Sequence, residues 1–287
     1  MNTPLTQKIA LLATAAIVLV SAGTMQASSD ITTTWTGKIS SDWNESGNWS
    51  SGTPFISGNA IIPEMTSANT KYPSINGRAS CKNLTLASGA KLAMGQKGEM
   101  TLAGDWILEG SFDCGKGTVI FAGSTVIIAE SITLNNVDIV GTMVAPGGQM
   151  EIMGYWNNSG TFVHNEGTIN FIGTTNVTGS TNTEFNNLMI NGALITNLTM
   201  YVEGNWTNYG DFDAGRSTVA FTGWESQSIE GNTIFNNIEI DNTGKGINLK
   251  GSQMANNMIL KKGYENMYTS NYKVLLNNNS ASLKNKE

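Results

Sequence analysis

The sequence repeats itself at an interval of 50 residues, and this repeat restricts the fold more than any other feature. Three segments, which begin at Gly104, Gly154 and Gly204, align almost without gaps. Self-similarity at this period is typical of stacked or radial repeat architectures. The aligned columns hold Trp106, Trp156 and Trp206; Phe112, Phe162 and Phe212; Phe121, Phe171 and Phe221; Gly110, Gly160 and Gly210; Gly123, Gly173 and Gly223; and Asn136, Asn186 and Asn236.

Within each unit, the local pattern is that of short strands separated by turns. In residues 167–173, Ile169 and Phe171 alternate with polar residues between two glycines, which is typical of a β-strand. About six such runs fit into one unit, so we interpret a unit as two coils of about 25 residues with three strands each. About eight coils at a spacing of about 4.8 Å would form a rod of about 40 Å.

The predicted fold is therefore an all-β, right-handed parallel β-helix (a β-solenoid), in which the Trp, Phe and Asn columns stack directly above one another as ladders. A helical bundle is excluded because the chain contains 32 glycines and only 13% charged residues, and glycine disfavours helices. The alternative fold is a β-trefoil, which also contains three similar units. Partial copies of the unit at residues 81–86 and 257–274 favour the open stack, because a trefoil closes on itself.

The N-terminal residues have the pattern of a secretion signal. Lys8 precedes an apolar run from Ile9 to Val20, and Met25-Gln26-Ala27 resembles a cleavage site. We therefore predict a signal peptide at residues 1–27 and a secreted or cell-surface location. The apolar run is too short for a membrane span, and we expect no span in the mature chain.

The residues that follow divide into a capping region at 28–80, solenoid repeats at 81–276 and a polar tail at 277–287. The capping region contains Trp35, Trp43 and Trp49. We interpret these tryptophans as a cover for one end of the core, since an open stack must protect its terminal strands. The alternative is that their rings contact glycans.

The sequence contains few groups that could perform chemistry, so we predict no catalytic, cofactor-binding or metal-binding residues and no enzymatic activity. His164 is the only histidine and has no acidic or cysteine neighbours at ligand spacing. Cys81 and Cys114 are the only cysteines, and a disulfide between them stays open at this point. The carboxylates that we considered are Asp105, Asp113, Asp211 and Asp213, and they form no continuous acidic ladder.

The charge balance argues against nucleic acid as a partner. The net charge is −6 with scattered charged residues, whereas a nucleic-acid interface requires a clustered basic face. Lys116 and Arg216 share a column, but Glu166 stands between them in the second unit.

Several stretches resemble repeat-bearing bacterial surface and secreted proteins of the filamentous-haemagglutinin-like and autotransporter-passenger β-solenoid class. These stretches are W-T-G, D-W-N and N-W-S, then C-K-N-L-T-L-A-S-G-A-K-L, and later G-N-W-T-N-Y-G-D-F. The resemblance implies a structural or adhesive protein whose partners are extracellular glycans or other cell-surface molecules, with no oligomeric state specified. A carbohydrate-binding module and a polysaccharide lyase-like β-helix are the alternative functions.

Overall fold

The chain winds into a β-solenoid of about 11 turns, as seen in a computed structural model that describes residues 30–67, 71–269, 271–276 and 284–285. Strands of successive turns pair in parallel, and two single-turn 3₁₀ helices, Ser46–Asn48 and Tyr264–Asn266, lie between them. The prediction of an all-β parallel solenoid is confirmed. The β-trefoil alternative is wrong, because that fold is built from antiparallel hairpins. The predicted signal peptide and most of the predicted tail lie outside the described residues.

Each turn contributes strands to three sheet faces, which we name the first, second and third face. The first face contains, in spatial order, Thr32–Thr34, Asn59–Ile62, Leu84–Leu86, Trp106–Leu108, Ser124–Ile128, Thr142–Val144 and Thr161–Val163. It continues as a second sheet with Thr183–Phe185, Thr199–Val202, Thr218–Phe221, Ile234–Asp241, Gln253–Lys262 and Val274–Leu276, and Lys284–Asn285 pairs with Gln253–Lys262.

The other two faces are built in the same way. The second face contains Arg78–Cys81, Glu99–Leu102, Thr118–Phe121, Asn136–Ile139, Trp156–Asn158, Thr174–Gly179, Ala193–Thr196 and Asp211–Asp213. The third face begins with Ser74–Ile75, Lys91–Met94 and Ser111–Asp113 and continues with Ser131–Leu134, Gln149–Ile152, Thr168–Phe171, Asn187–Ile190, Trp206–Asn208, Gln227–Gly231, Ile247–Lys250 and Met267–Tyr268. Parallel pairing thus begins upstream of residue 81, so the Trp-rich region itself contributes strands to the first coils.

A coil is shorter than the sequence pattern suggests. Thr118 pairs with Glu99 on the preceding turn and with Asn136 on the following turn. The longer coil that the sequence predicted is therefore wrong. The coil is shorter because the corners between strands are short: the corner at 122–123, for example, has only two residues. About 11 turns at about 4.8 Å give a stack of about 50 Å rather than about 40 Å.

The 50-residue repeat and the coil are out of phase. The strand of Trp156 is the eighth after that of Trp106, and the strand of Trp206 is the eighth after that of Trp156. Because a turn has three strands, one repeat spans two and two-thirds turns. Trp106 therefore lies on the first face, Trp156 on the second and Trp206 on the third. The expectation that identical side chains stack directly above one another is wrong.

The Phe and Asn columns are displaced from face to face in the same manner. Their positions are as follows: Phe112, Phe162 and Phe212 lie on the third, first and second faces; Phe121, Phe171 and Phe221 lie on the second, third and first; Asn136 begins a second-face strand, Asn186 precedes a third-face strand and Asn236 lies within Ile234–Asp241. A column therefore marks equivalent positions around the axis, and not a ladder along one face.

One edge-to-face contact between a tryptophan and a phenylalanine nevertheless recurs in every unit. The ring centroids of Trp106 and Phe112 lie 5.0 Å apart in an edge-to-face arrangement. The corresponding distances are 4.9 Å in the second unit and 5.1 Å in the third. All three tryptophans are fully buried, so each repeat carries its own aromatic core contact with it as the chain turns.

Candidate functional site

The three tryptophans of the capping region are buried and pack against one another. Trp35, Trp43 and Trp49 are 1%, 0% and 5% exposed. The ring of Trp49 lies 5.0 Å from that of Trp35 and 4.8 Å from that of Trp43, edge to face in both pairs. Because protein covers their ring faces, this arrangement favours the structural cover over contact with glycans.

Asn48 holds the capping loop together from the inside. Its side chain is fully buried, and its Oδ1 accepts hydrogen bonds from the amides of Ile39 and Ser40 at 2.9 Å. Its Nδ2 donates to Ser40 Oγ at 3.0 Å and to the carbonyl of Asp42 at 2.9 Å. The loop that carries the tryptophans is thus held together by one buried amide.

His164 takes part in a tight turn. Its Nε2 lies 3.1 Å from Glu203 Oε2, and its Nδ1 accepts a hydrogen bond from the amide of Glu166. The next residue, Asn165, has a left-handed φ of 47°, close to the values of 49° at Gly115 and 46° at Gly215 in the same column. The three units therefore share the turn geometry. The side chain before the left-handed residue differs, since it is Cys114, His164 or Ala214.

Three of the four carboxylates considered in the sequence are held by backbone amides. Asp113 Oδ1 accepts from the amide of Gly115 at 3.0 Å, and Asp213 Oδ1 accepts from Gly215 at 3.1 Å. Asp105 Oδ1 accepts from the amide of Val126 at 3.1 Å. Asp211 begins a second-face strand and is exposed. Among the described residues, His, Cys, Asp and Glu form no group of three or more that could hold a metal ion.

The two cysteines are buried free thiols. Burial raises the pKa of the Cys81 thiol far above its ordinary value, and burial is also the main reason why the pKa of Cys114 is raised. The disulfide that the sequence left open does not form in this structure.

The Asn residues of the repeat join neighbouring coils. Asn136 Oδ1 accepts from the amide of Tyr155 at 3.1 Å, while its Nδ2 donates to Thr118 Oγ1 at 3.3 Å. Asn186 Nδ2 donates to the carbonyl of Glu166, and Asn236 Nδ2 donates to that of Ser217 at 3.1 Å. These side chains therefore serve coil-to-coil adhesion within the molecule.

Five ion pairs also run between adjacent coils. They join Arg78 with Glu99, Lys245 with Glu225, Lys250 with Glu230, and Lys261 with both Glu239 and Asp241. The hydrogen bond from Lys261 to Glu239 raises the pKa of the lysine. A shallow open cleft of about 280 Å³ lies between the capping loop and the second face, and the ion pair of Arg78 and Glu99 forms part of its wall.

Trp224 differs from the other six tryptophans because its side chain is 68% exposed. It stands on a connection of five residues, 222–226, between the strands Thr218–Phe221 and Gln227–Gly231. The equivalent connections in the earlier units, 122–123 and 172–173, have two residues. Trp224 was not among the site residues predicted from the sequence. The sequence does mark this position, because the equivalent residues of the first two units are the small polar Ser124 and Thr174.

Comparison of the chain with protein-family models, curated proteins and solved structures finds no match. Within the part of the chain that the structure describes, no helix has the length and apolar character that a bilayer-spanning segment needs.

Proposed function

We propose that this protein is exported and acts outside the cell as a non-catalytic structural or adhesive β-solenoid. The observation that carries this proposal is that backbone strand pairing, asparagine amides and ion pairs all join one turn to another. Such a molecule resembles a stiff repeat rod, whose stability is the sum of contacts between neighbouring turns. A rod of this kind can display surface residues at fixed spacings.

The environments of the titratable groups favour a non-catalytic role. The candidate carboxylates Asp113 and Asp213 accept hydrogen bonds from turn amides, and His164 is engaged by Glu203 and by a turn amide. Catalytic groups are usually arranged so that their pKa values suit proton transfer or nucleophilic attack. Here Asp113, Asp213 and the Nδ1 atom of His164 accept instead from backbone amides of their own turns, and the Nε2 atom of His164 contacts the distant Glu203.

Export is proposed from the N-terminal pattern of a basic residue, an apolar run and small residues. To test it, the full chain is expressed in a bacterial host beside a variant that lacks residues 1–27. We expect the full chain to leave the cytosol and to begin near Ser28 in N-terminal sequencing, and the shortened variant to stay inside. An uncleaved full chain that remains in the cytosol would contradict export.

Adhesion is tested separately with the purified mature protein on surfaces coated with glycans or with extracellular proteins. We expect retention of the folded protein on at least one such surface, and no retention after it has been unfolded. If the folded protein is washed from every surface, the adhesive role is wrong and a purely structural role stands.

Carbohydrate recognition is the second candidate function, and the exposed ring of Trp224 favours it. Aromatic rings with one open face are a common means of holding an apolar ligand surface while nearby polar groups fix its orientation.

A further inference from the structure

Trp224 is the exception in a chain that buries its other tryptophans. Trp106, Trp156 and Trp206 lie fully inside the core, and the three tryptophans of the cap are at most 5% exposed. Burial of a large aromatic side chain is strongly favourable in water. Trp224, which remains 68% exposed, therefore contributes little to core packing, and its ring is open to a ligand.

A buried amide fixes the start of the loop that carries Trp224. Gln227 is 1% exposed, and its Nε2 donates to the carbonyls of Val202 and Gly204 at 2.7 Å. Its Oε1 accepts from the amide of Gly223 at 2.9 Å and from Asn242 Nδ2 at 3.0 Å. The residue directly before Trp224 is thereby tied to the coil below.

A second buried amide ties the same loop to the coil above. Asn242 is fully buried, and its Nδ2 also donates to the carbonyl of Glu225 at 2.9 Å. Its Oδ1 accepts from the amides of Gly244 and Gly246. Because both amides use donors and acceptors inside the protein, the loop is held in one conformation.

The backbone of Trp224 itself is packed against the next coil. Its carbonyl accepts from the amide of Lys245 at 3.1 Å. A Cβ atom on Gly244 would lie 1.6 Å from that carbonyl oxygen, so only glycine allows this close approach. The backbone of the loop is thus fixed in advance, and the indole of Trp224 projects into solvent.

The neighbours of the indole in sequence and on the adjoining loop are polar. Glu225, Ser226, Thr243 and Lys245 are exposed, and Lys245 pairs with Glu225. A stable protein interface buries about 800 Å² on each partner around several apolar anchors. A single ring within a polar border fits a small ring instead, one with an apolar C–H face and hydroxyl groups at its edge.

We propose that Trp224 is a sugar-stacking residue and that the loops at 222–226 and 242–246 form a binding site for a pyranose unit of an extracellular oligosaccharide. The indole packs on the C–H face of the sugar, while Glu225, Thr243 and Lys245 reach its hydroxyl groups. This inference rests on carbohydrate recognition as the candidate function and names the residues that perform it.

Iodide quenching of tryptophan fluorescence tests the site directly, because Trp224 is the one tryptophan that the quencher reaches in the folded protein. The mature protein is titrated with soluble oligosaccharides of neutral hexoses, N-acetylhexosamines and uronic acids. We expect at least one class to protect Trp224 from iodide. Trp224→Ala is expected to weaken binding of that oligosaccharide at least tenfold by calorimetry, and Trp224→Phe to retain part of the affinity.

Tyr209→Ala is the matched control, since Tyr209 is 62% exposed on a different connection of the solenoid, and it should bind as the wild type does. Equal thermal unfolding of all variants shows that the fold is unchanged. The proposal is overturned if no oligosaccharide protects Trp224, or if binding survives in Trp224→Ala. The second result would place glycan adhesion elsewhere on the rod and leave the adhesive function intact, whereas failure of export would not affect the quenching result.

Discussion

At the scale of single residues, the glycine columns show how closely neighbouring coils approach one another. A Cβ atom on Gly160 would lie 2.0 Å from the carbonyl oxygen of Gly141, and one on Gly173 would lie 2.0 Å from that of Met153. Neither glycine has a positive φ, so the lack of space and not the backbone conformation excludes a side chain. The glycine columns that the sequence repeats are therefore contact points between coils.

A substitution at one of these contact points should destabilise the protein. We expect Gly160→Ala to lower the free energy of unfolding by about 1–3 kcal/mol, because two backbone segments must separate to admit the methyl group. Denaturant unfolding followed by circular dichroism measures the change. Gly77→Ala is the control, since no atom lies within 4 Å of the added Cβ. Equal effects of the two substitutions would refute the explanation.

Tyr209 provides a residue-scale prediction about pH. Its hydroxyl donates to Glu230, and this hydrogen bond is the main reason why the pKa of Tyr209 is raised above its ordinary value near 10. The neutral phenol is favoured in the fold, so the contact is fully present below about pH 10 and is lost as the pH rises through the raised pKa.

Glu230→Gln should lower the pKa of Tyr209, because it replaces the carboxylate that accepts the phenol's hydrogen bond with a weaker, neutral acceptor and also removes the negative charge. Ultraviolet difference absorbance measures the titration, and subtraction of the Tyr209→Phe curve isolates this tyrosine from the others. An unchanged titration midpoint in Glu230→Gln would show that the carboxylate does not control the pKa of Tyr209.

At the scale of elements, the N-terminal cap depends on one buried amide. Asn48→Ala removes four hydrogen bonds to the loop that covers the core, and buried groups that lose their partners cost roughly 1–3 kcal/mol. We expect the cap to open at a lower denaturant concentration than in the wild type, with a red shift of tryptophan emission. Asn44→Ala is the control, because Asn44 is exposed and its Nδ2 donates to the carbonyl of Arg78 outside the buried network. A cap that opens at the same concentration in both variants would contradict this role.

The strands could be predicted from sequence, but the coil length could not. The alternation around Ile169 and Phe171 correctly indicated a strand in which these two side chains are buried. Corners such as 122–123 are too short to leave a separate turn signal, so eight strands per unit were counted as six. Strands of neighbouring coils pair through their backbones, so the side chains give little indication of which strands pair. The predicted coil length was wrong for this reason.

The candidate site was also only partly predictable. Composition cannot distinguish a buried tryptophan from an exposed one, so Trp35, Trp43 and Trp49 carried two interpretations until their packing was known. Trp224 could have been noticed as an aromatic residue in a column of Ser124 and Thr174. Its exposure, in contrast, results from the longer connection at 222–226, which only the strand boundaries reveal.

At the scale of the whole molecule, the relation between repeat and coil predicts which deletions are tolerated. Removal of residues 157–206 joins equivalent positions of two units, so each later strand meets a partner equivalent to the one it had before. We expect this variant to fold cooperatively with a β-sheet circular dichroism spectrum. Removal of half a repeat, residues 132–156, would be tolerated only if a coil had that length, and we expect it to abolish cooperative unfolding. The opposite pair of results would contradict the phase relation.

Because each repeat advances by two and two-thirds turns, an added copy of the repeat would lengthen the solenoid and keep the pairing between its coils. Every new copy presents its outer residues in a direction rotated by a third of a revolution from the last. A residue that occurs in one copy only, such as Trp224, therefore changes the surface on one side of the solenoid. The buried Trp and Phe residues stay the same in all three copies. The number of repeats and the residues on the outer surface can therefore change independently of each other in such a molecule.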